Sequence, residues 1–469
     1  MRWETQLQKA QDGTMRSSPA EPPSPTDLAI AKHIKSINHS DCELYGEDGF
    51  WVFDLDVVRH QLARWKKHLP LVRPFYAVKC NPTPRLLSLL AEPSYNLGFD
   101  CATHGEISQI LSLSVPPHNI IYANPCKAPS HIRYASKVNV RKMTFDNATE
   151  LYKIKTYFPD AQCVLRIKVT AEGCSQGSGE TEVGKPMYEL SKKYGVTLDG
   201  AREILTLAKR LGVDVIGLAF HVGSGQRDHR SYVHHMVEAR RIWDIAAEVG
   251  YDFTLLDIGG GFMDENFEAA AETICKALEM EFGNLLRKER VEVIAEPGRY
   301  ICSPAFALAT SVIAVREEGE ESSGKRMVYL ADGIYSRINP AMWPGELMTL
   351  PVAVRGKRMK LIPRTNRASP PRSSASSDSG IELEEKEQQL EDSEGMEMQG
   401  ELQEYSLWGP TCDCGDVVLE SGWHPKGIEI GDWFVFKRLG AYAINMGNTF
   451  NGFGTETKLY CINEEPANK

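Results

Sequence analysis

VIGLAFHV (residues 215–222), TLLDIG (254–259) and VEVIAEP (291–297) are three short, largely apolar runs, with a helical pattern from Tyr232 to Val249 between the first two. Strands that are apolar at most positions, rather than alternating, are expected where a sheet is covered on both faces. Reading outward toward the N-terminus, five more runs of the same kind appear: FYAVK (75–79), NLGFD (96–100), NIIYA (119–123), RKMTF (141–145) and CVLRIKV (163–169). Helical stretches such as PRLLSLLA (84–91) separate several of them. Eight strand-then-helix units between 75 and 300 predict an α/β fold, a (β/α)8 TIM barrel. A doubly wound sheet is the runner-up, but it rarely needs eight such units in succession.

Lys79, Asp100, Asn124, Asp146, His221, Asp257 and Glu296 fall at or near the C-terminal end of a run. That is the face on which barrels assemble their sites, and seven polar residues at one end exceed what a purely structural barrel requires. Gly259, Gly260 and Gly261 follow the seventh run, EPGR (296–299) the eighth, and HVGSG (221–225) the sixth. Consecutive glycines let backbone N–H groups approach an anion, and Arg299 adds a guanidinium able to grip phosphate. One glycine run alone makes ordinary turns; three small-residue loops on neighbouring strands predict a phosphate site. Lys79 ends an apolar strand, where a surface lysine is the plain alternative. In a barrel mouth, desolvation is expected to depress its amine toward Schiff-base chemistry. Lysine, phosphate grip and Glu296 as a partner for a pyridine nitrogen are together the parts of a pyridoxal phosphate site.

Outside this core the chain changes character. Residues 1–27, rich in Ser and Pro, read as a disordered tail, and 28–55 as a segment joining a second domain through WVFDL (51–55). The barrel is expected over 56–300 and a β-rich domain over 301–469, with strands FALATSVIAV (306–315), RMVYLAD (326–332), DWFVFK (432–437) and KLYCI (458–462). Residues 355–404, basic in the first part and strongly acidic in the last, read as a disordered insertion. Acidic residues exceed basic ones, 63 to 53, for a net charge of −10, which argues against nucleic acid as a partner. No run approaches the ~18 apolar residues of a membrane span, and the N-terminus lacks a secretory layout. The 11 cysteines, an odd number scattered singly but for Cys412 and Cys414, read as reduced thiols of a cytoplasmic protein. Cys412 and Cys414 lack a second ligand pair at metal spacing, so no metal is expected. His234 and His235, inside a helical stretch, are expected at the surface rather than as ligands.

YAVKCN, GFDCA with Glu106, IIYANPCK, MTFD, FHVGSG, LDIGGGF, AEPGR, WGPTCD and GAY with TFNGF occur in one order. This set resembles the ornithine, diaminopimelate and arginine decarboxylases, the fold type III pyridoxal phosphate enzymes, and most closely the eukaryotic ornithine decarboxylases. The resemblance covers roughly 37–462 apart from the insertion. It implies an alanine-racemase-like barrel plus β domain, and a cytoplasmic amino-acid decarboxylase, ornithine to putrescine in polyamine biosynthesis. It further implies that Lys79 carries the cofactor, His221 stacks on its ring and Glu296 pairs with the ring nitrogen. Ser224, Gly259, Gly260, Gly261, Arg299 and Tyr442 would hold the phosphate. Asp100, Glu106 and Arg166 would order the site. Trp343, Asp413 and Phe450 would line the substrate pocket, and Cys412 would return a proton to the α-carbon. Cys412 and Asp413 would enter from the other subunit of a homodimer. An antizyme-type regulator has no support, and the chain stops soon after KLYCI without a long degradation tail.

One stretch departs from the pattern. In the ornithine enzymes an aspartate after an NDGVYGSFN-like motif pairs with the distal ammonium; here ADGIYSRINPAMWPGE puts Pro344 at that position, beside Trp343, and adds Arg337. A half-paired ammonium in a desolvated pocket costs roughly 3–5 kcal/mol. Asp413 or Glu346 could take the missing part. Three readings follow: ornithine in a rearranged pocket, a related amino acid with another tail in specialised metabolism, or a silent relative that binds a regulator, like the antizyme inhibitors.

Overall fold

The computed structural model describes residues 22–37, 48–168, 186, 193–317, 325–338, 351–356, 396–453 and 458–464. Most of the expected tail (1–21), the centre of the expected insertion (357–395), Trp343 and Pro344 lie outside the described residues. The chain divides into two units, Asp56–Ala305 with Gly440–Tyr442, and Met1–Leu55 with Phe306–Leu439 and Ala443–Lys469.

The first unit is a closed barrel of eight parallel strands: β2 (Val72–Ala77), β3 (Gly98–Cys101), β4 (Ile120–Tyr122), β5 (Lys142–Phe145), β6 (Gln162–Arg166), β7 (Asp214–Ala219), β8 (Leu255–Asp257) and β9 (Glu292–Ala295). All eight apolar runs became barrel strands, and the register Val72↔Val293 between β2 and β9 closes the ring. A helix follows each strand in turn: α3 (Pro84–Leu90), α4 (His104–Ser112), α5 (Pro129–Lys137), α6 (Ala148–Tyr157), α7 (Leu198–Leu211), α8 (Arg230–Val249), α9 (Phe267–Leu286) and the single-turn α10 (Arg299–Cys302). An additional helix, α2 (Leu55–His68), precedes β2. Phe75, Ile121, Val164, Ala219, Leu255 and Ile294, from six strands, form one buried apolar cluster. Side-chain caps start the helices close behind the strand ends: Thr103 Oγ1 accepts from the Glu106 N–H (3.2 Å) and Asn147 Oδ1 from the Glu150 N–H (2.9 Å). The glycines Gly212 and Gly250 end α7 and α8 in left-handed conformation (φ 62° and 95°).

The second unit is built around β1 (Phe50–Asp54), buried at every position. It pairs antiparallel with β10 (Phe306–Glu317) and parallel with β16 (Lys458–Ile462). β10 runs 12 residues and shifts register between Val312 and Ala314. Its first half pairs with β15 (Trp433–Phe436) and its second with β11 (Arg326–Leu330), so one long strand serves two ends of the sheet. β12 (Val352–Val354), β13 (Leu402–Trp408) and β14 (Val417–Pro425) complete it. Ile30 and Ile34 of helix α1 (Pro25–Ser36) join Phe50, Val52, Ala309, Trp433 and Val435 in its core.

Two expectations about boundaries need correction. Helix α1 starts inside the expected tail because Ser24-Pro25-Thr26-Asp27 is a capping box: Ser24 Oγ accepts from the Asp27 N–H (3.2 Å) and Asp27 Oδ2 accepts from the Ser24 N–H (3.1 Å), with Pro25 in the first turn. At the far edge of the expected insertion, Glu397 bridges Val354, Met398 is buried and β13 begins at Leu402. Those residues follow an acidic run whose composition hides the strand. Among the described residues no helix is long and apolar enough to cross a membrane.

Candidate active site

A cavity opens within the barrel unit, lined by the ends of β2, β7, β8 and β9 and by Tyr442. Lys79 enters it from a 3-10 turn, Val78–Cys80, that follows β2 directly. Its Nζ lies 2.5 Å from Oδ2 of Asp100, a fully buried residue in β3, while 39% of the lysine side chain stays accessible. Burial on its own would lower the amine, but the Asp100 and Glu296 carboxylates, with Tyr442, outweigh it and hold the ammonium above its ordinary range. The depressed amine expected from the sequence is therefore corrected: in this cavity the lysine is charged, because its carboxylate partner is in contact.

Glu296 stands at the end of β9, 5% exposed, and its Oε1 has no hydrogen-bond partner. Burial first, then the charges of Asp257 and Asp100, raise its carboxyl well above the usual range. Asp257, at the end of β8, accepts the Gly259 N–H at Oδ1 (2.8 Å), and burial pushes it up to about 6. The two neighbouring carboxyls oppose each other's ionisation. His221 follows β7 by two residues. Its Nδ1 accepts the Gly223 N–H (2.9 Å), which puts the proton of the neutral ring on Nε2. Burial, with the charges of Arg166 and Lys79, holds that imidazole well below its usual value. His221 is thus a flat, uncharged ring at the cavity wall.

The glycine arm is shaped by what it touches. Gly259 and Gly261 have φ of 65° and 109°, and a Cβ on Gly260 would lie 2.8 Å from His221 Nε2 and 2.9 Å from the Glu296 carbonyl. Only glycine lets the backbone run there. The Tyr232 hydroxyl donates to the Gly260 carbonyl (3.0 Å) and fixes the arm from behind. Ser224 and Gly225 line the same cavity. Arg299 opens α10 at 7% exposure with its guanidinium 5.3 Å over the Tyr442 ring. Tyr442, at φ 54°, donates its N–H to the Cys80 carbonyl (2.9 Å), and burial first keeps its phenol protonated. Arg166 ends β6, buried, close enough to bias both His221 and Glu296. Glu106 is set back from the lysine: its Oε2 accepts the Ala102 N–H (2.5 Å), next to Asp100. The structure thus gathers Lys79, His221, Ser224, Gly260, Gly261, Glu296, Arg299 and Tyr442 around one cavity.

These residues fit pyridoxal phosphate. A glycine cradle that any Cβ would fill, with Arg299 and Ser224 beside it, suits a phosphate monoester. A buried, partnerless carboxyl oxygen on Glu296 suits a ring nitrogen, since such an atom is costly when left unmet. Lys79 faces the same space.

The remaining expected residues gather in the β unit. Cys412 and Asp413 lie between β13 and β14, where Asp413 Oδ1 accepts the Gly415 N–H (3.0 Å) and Oδ2 accepts the Tyr335 hydroxyl. That hydroxyl holds the Asp413 carboxyl below its ordinary range. The Cys412 N–H donates to Asn451 Oδ1 (2.9 Å), and Phe450 stands 4.5 Å from the Tyr335 ring. Tyr335 was not anticipated, although its place in ADGIY, one motif with the substrate stretch, was the available signal. Asp257 was read only as a strand end, and its tie to the glycine arm needed coordinates. Arg337 is no free charge: Nη1 donates to buried Asp332 (2.6 Å). His235 is also corrected, for it is buried in α8 with Nδ1 2.8 Å from the Ser231 carbonyl, on the face that packs on Phe220.

A family model described as "Pyridoxal-dependent decarboxylase, pyridoxal binding domain" matches residues 55–303. The chain is 38% identical to an ornithine decarboxylase of Schizosaccharomyces pombe, over 88% of this chain and 83% of the relative. It is 39% identical to antizyme inhibitor 2 of Xenopus laevis, over 88% of this chain and 81% of the relative. A crystal structure of the Paramecium bursaria Chlorella virus arginine decarboxylase bound to agmatine superposes with a TM-score of 0.73 at 27% identity, covering 93% of this chain and all of the other.

Proposed function

Because this chain belongs to the pyridoxal-dependent decarboxylase family, we propose that it is a cytoplasmic, homodimeric ornithine decarboxylase that releases carbon dioxide from L-ornithine to give putrescine. The observation that carries the reading is the convergence of Lys79, Glu296 and the glycine–Arg299 cradle on one cavity. Pyridoxal phosphate bound there would supply an electron sink for the pair left when the carboxylate departs.

The chain's own groups have separable tasks. Lys79 carries the cofactor, and Asp100 orients and takes charge from its amine. Glu296 would pair with the ring nitrogen in a charge-assisted hydrogen bond, with Asp257 behind it. His221, an uncharged ring at the cavity wall, would stack on the cofactor ring. Gly259 to Gly261, Ser224, Arg299 and Tyr442 bind the phosphate, and Arg166 and Glu106 order the lysine side. Asp413, aimed by Tyr335, takes the distal ammonium, with Phe450 beside it. Cys412, exposed and unpaired, returns a proton to the α-carbon of a substrate bound by the other subunit.

A second reading rests on Pro344: a decarboxylase for a related amino acid whose tail is not a simple ammonium. The intact lysine, carboxylate and phosphate set speaks against a silent regulator-binding relative. The deciding experiment measures carbon dioxide release, with added pyridoxal phosphate, from ornithine, lysine, arginine and amino acids with neutral or acidic tails. Ornithine should lead and Lys79→Ala should be inert. Preference for another tail would establish the second reading, and silence across the panel would refute both.

A further inference from the structure

The two arms that line the phosphate end of the cavity share a support that the chemistry above does not use. The arm after β8 runs from Gly259 to Asp264, and the arm after β9 from Glu296 to Tyr300. Both meet one side chain of α2. Gln61, 2% exposed, donates from Nε2 to the Tyr300 carbonyl (2.8 Å) and to Asp264 Oδ1 (3.0 Å). The Tyr300 hydroxyl returns a hydrogen bond to the Gln61 carbonyl (3.0 Å). Gln61 Oε1 accepts from Arg64 Nη1 (2.8 Å), and that guanidinium also holds Asp264 and Glu268. Both amide hydrogens of Gln61 and its amide oxygen are engaged, which fixes the orientation of the amide.

Packing reinforces the junction. Trp65, on the same helix, stands edge-on to Phe262 of the first arm at 4.7 Å and 5.7 Å from Tyr300 of the second. Tyr300 stacks on Phe267 at 4.2 Å. Tyr300 follows Arg299 directly, and Phe262 follows Gly261 directly. A displacement of either residue is therefore passed to a phosphate-gripping neighbour within one peptide unit. A phosphate held by two arms needs their spacing fixed before it arrives, because the arms otherwise lose ordering entropy on binding.

Resting on the assignment of this cavity to pyridoxal phosphate, we propose that Gln61 is a positioning residue that sets the distance between the glycine arm and Arg299, and so the affinity for the cofactor's phosphate. Outer-shell partners that orient the ligands of a metal site typically change its affinity by about 10–100-fold when removed, and a similar loss is expected here.

Apo protein titrated with pyridoxal phosphate and with pyridoxal, which lacks the phosphate, tests this by bound-chromophore absorbance. Gln61→Met keeps the volume and removes both donors and the acceptor; Gln61→Glu keeps the acceptor for Arg64 but cannot donate to both arms. Both should weaken pyridoxal phosphate by about 10–100-fold and pyridoxal by less than about threefold, with far-UV circular dichroism matching the unaltered chain. Equal losses for the two compounds, or no loss in either variant, would overturn the proposal and leave Gln61 as a general prop. If the unaltered chain does not prefer pyridoxal phosphate over pyridoxal, the cofactor assignment itself has failed, which the same titration reports separately.

Discussion

Replacing His424 with phenylalanine removes a titration from the core of the β unit. His424 is 3% exposed in β14, edge-on to Phe434 at 5.0 Å, and its Nε2 has no hydrogen-bond partner. Burial alone pushes its imidazole from 6.5 down to about 4. The folded chain therefore keeps the ring neutral where the unfolded chain has already taken up a proton. Stability is intact above about pH 6.5, falls as pH drops toward 4, and levels off below that. The full displacement corresponds to roughly 3 kcal/mol, of which about 2 kcal/mol is gone by pH 5. Urea unfolding at pH 7.5 and 5.0 reads this difference directly. The unaltered protein should lose about 2 kcal/mol more than His424→Phe over that interval, with His424→Leu as a smaller replacement in case the larger ring is strained. Identical losses in the unaltered protein and both variants would refute the reasoning, since the histidine would then be exposed or paired.

Three further outcomes follow from the site. Glu296→Gln keeps the shape but cannot hold a transferable proton, so steady-state kcat should fall by about two to four powers of ten; a fall of less than about threefold would mean the carboxyl is not the ring partner. Tyr335→Phe removes the hydroxyl that orients Asp413. It should raise KM for ornithine by less than about tenfold, because that pair is exposed, and leave kcat nearly unchanged; an unchanged KM would separate Asp413 from substrate. Mixing inactive Lys79→Ala with inactive Cys412→Ala under subunit exchange should restore part of the activity, and no recovery would argue for sites within one chain.

Most of the barrel was legible in the sequence because its strands are covered on both faces and so read as continuous apolar runs ending in polar residues. Three strands escaped notice: β12 is only three residues long, whereas β13 and β14 interleave polar residues such as Gln403, Glu404, Glu420 and Ser421, and β13 follows an acidic run. The residues that line the cavity were readable as motifs. The charge on Lys79 was not, since desolvation and a contacting carboxylate act in opposite directions and only the 2.5 Å separation decides between them. His235 was misplaced for a related reason: adjacent histidines in a helix point to different faces, and only packing tells which one turns inward.

The central strand of the β unit, β1, precedes the barrel, yet its partners β10 and β16 begin at Phe306 and Lys458. On the ribosome the barrel's contiguous span can collapse as soon as it emerges, whereas Phe-Trp-Val-Phe-Asp waits for β10 to cover one edge and, about 150 residues later, for β16 to cover the other. Tyr442, whose backbone closes onto Cys80, arrives almost as late. A nascent chain is thus unable to complete this cavity before Tyr442 emerges, and a chain cut upstream of Lys458 would leave one flank of β1 bare, a ready substrate for chaperones and proteases.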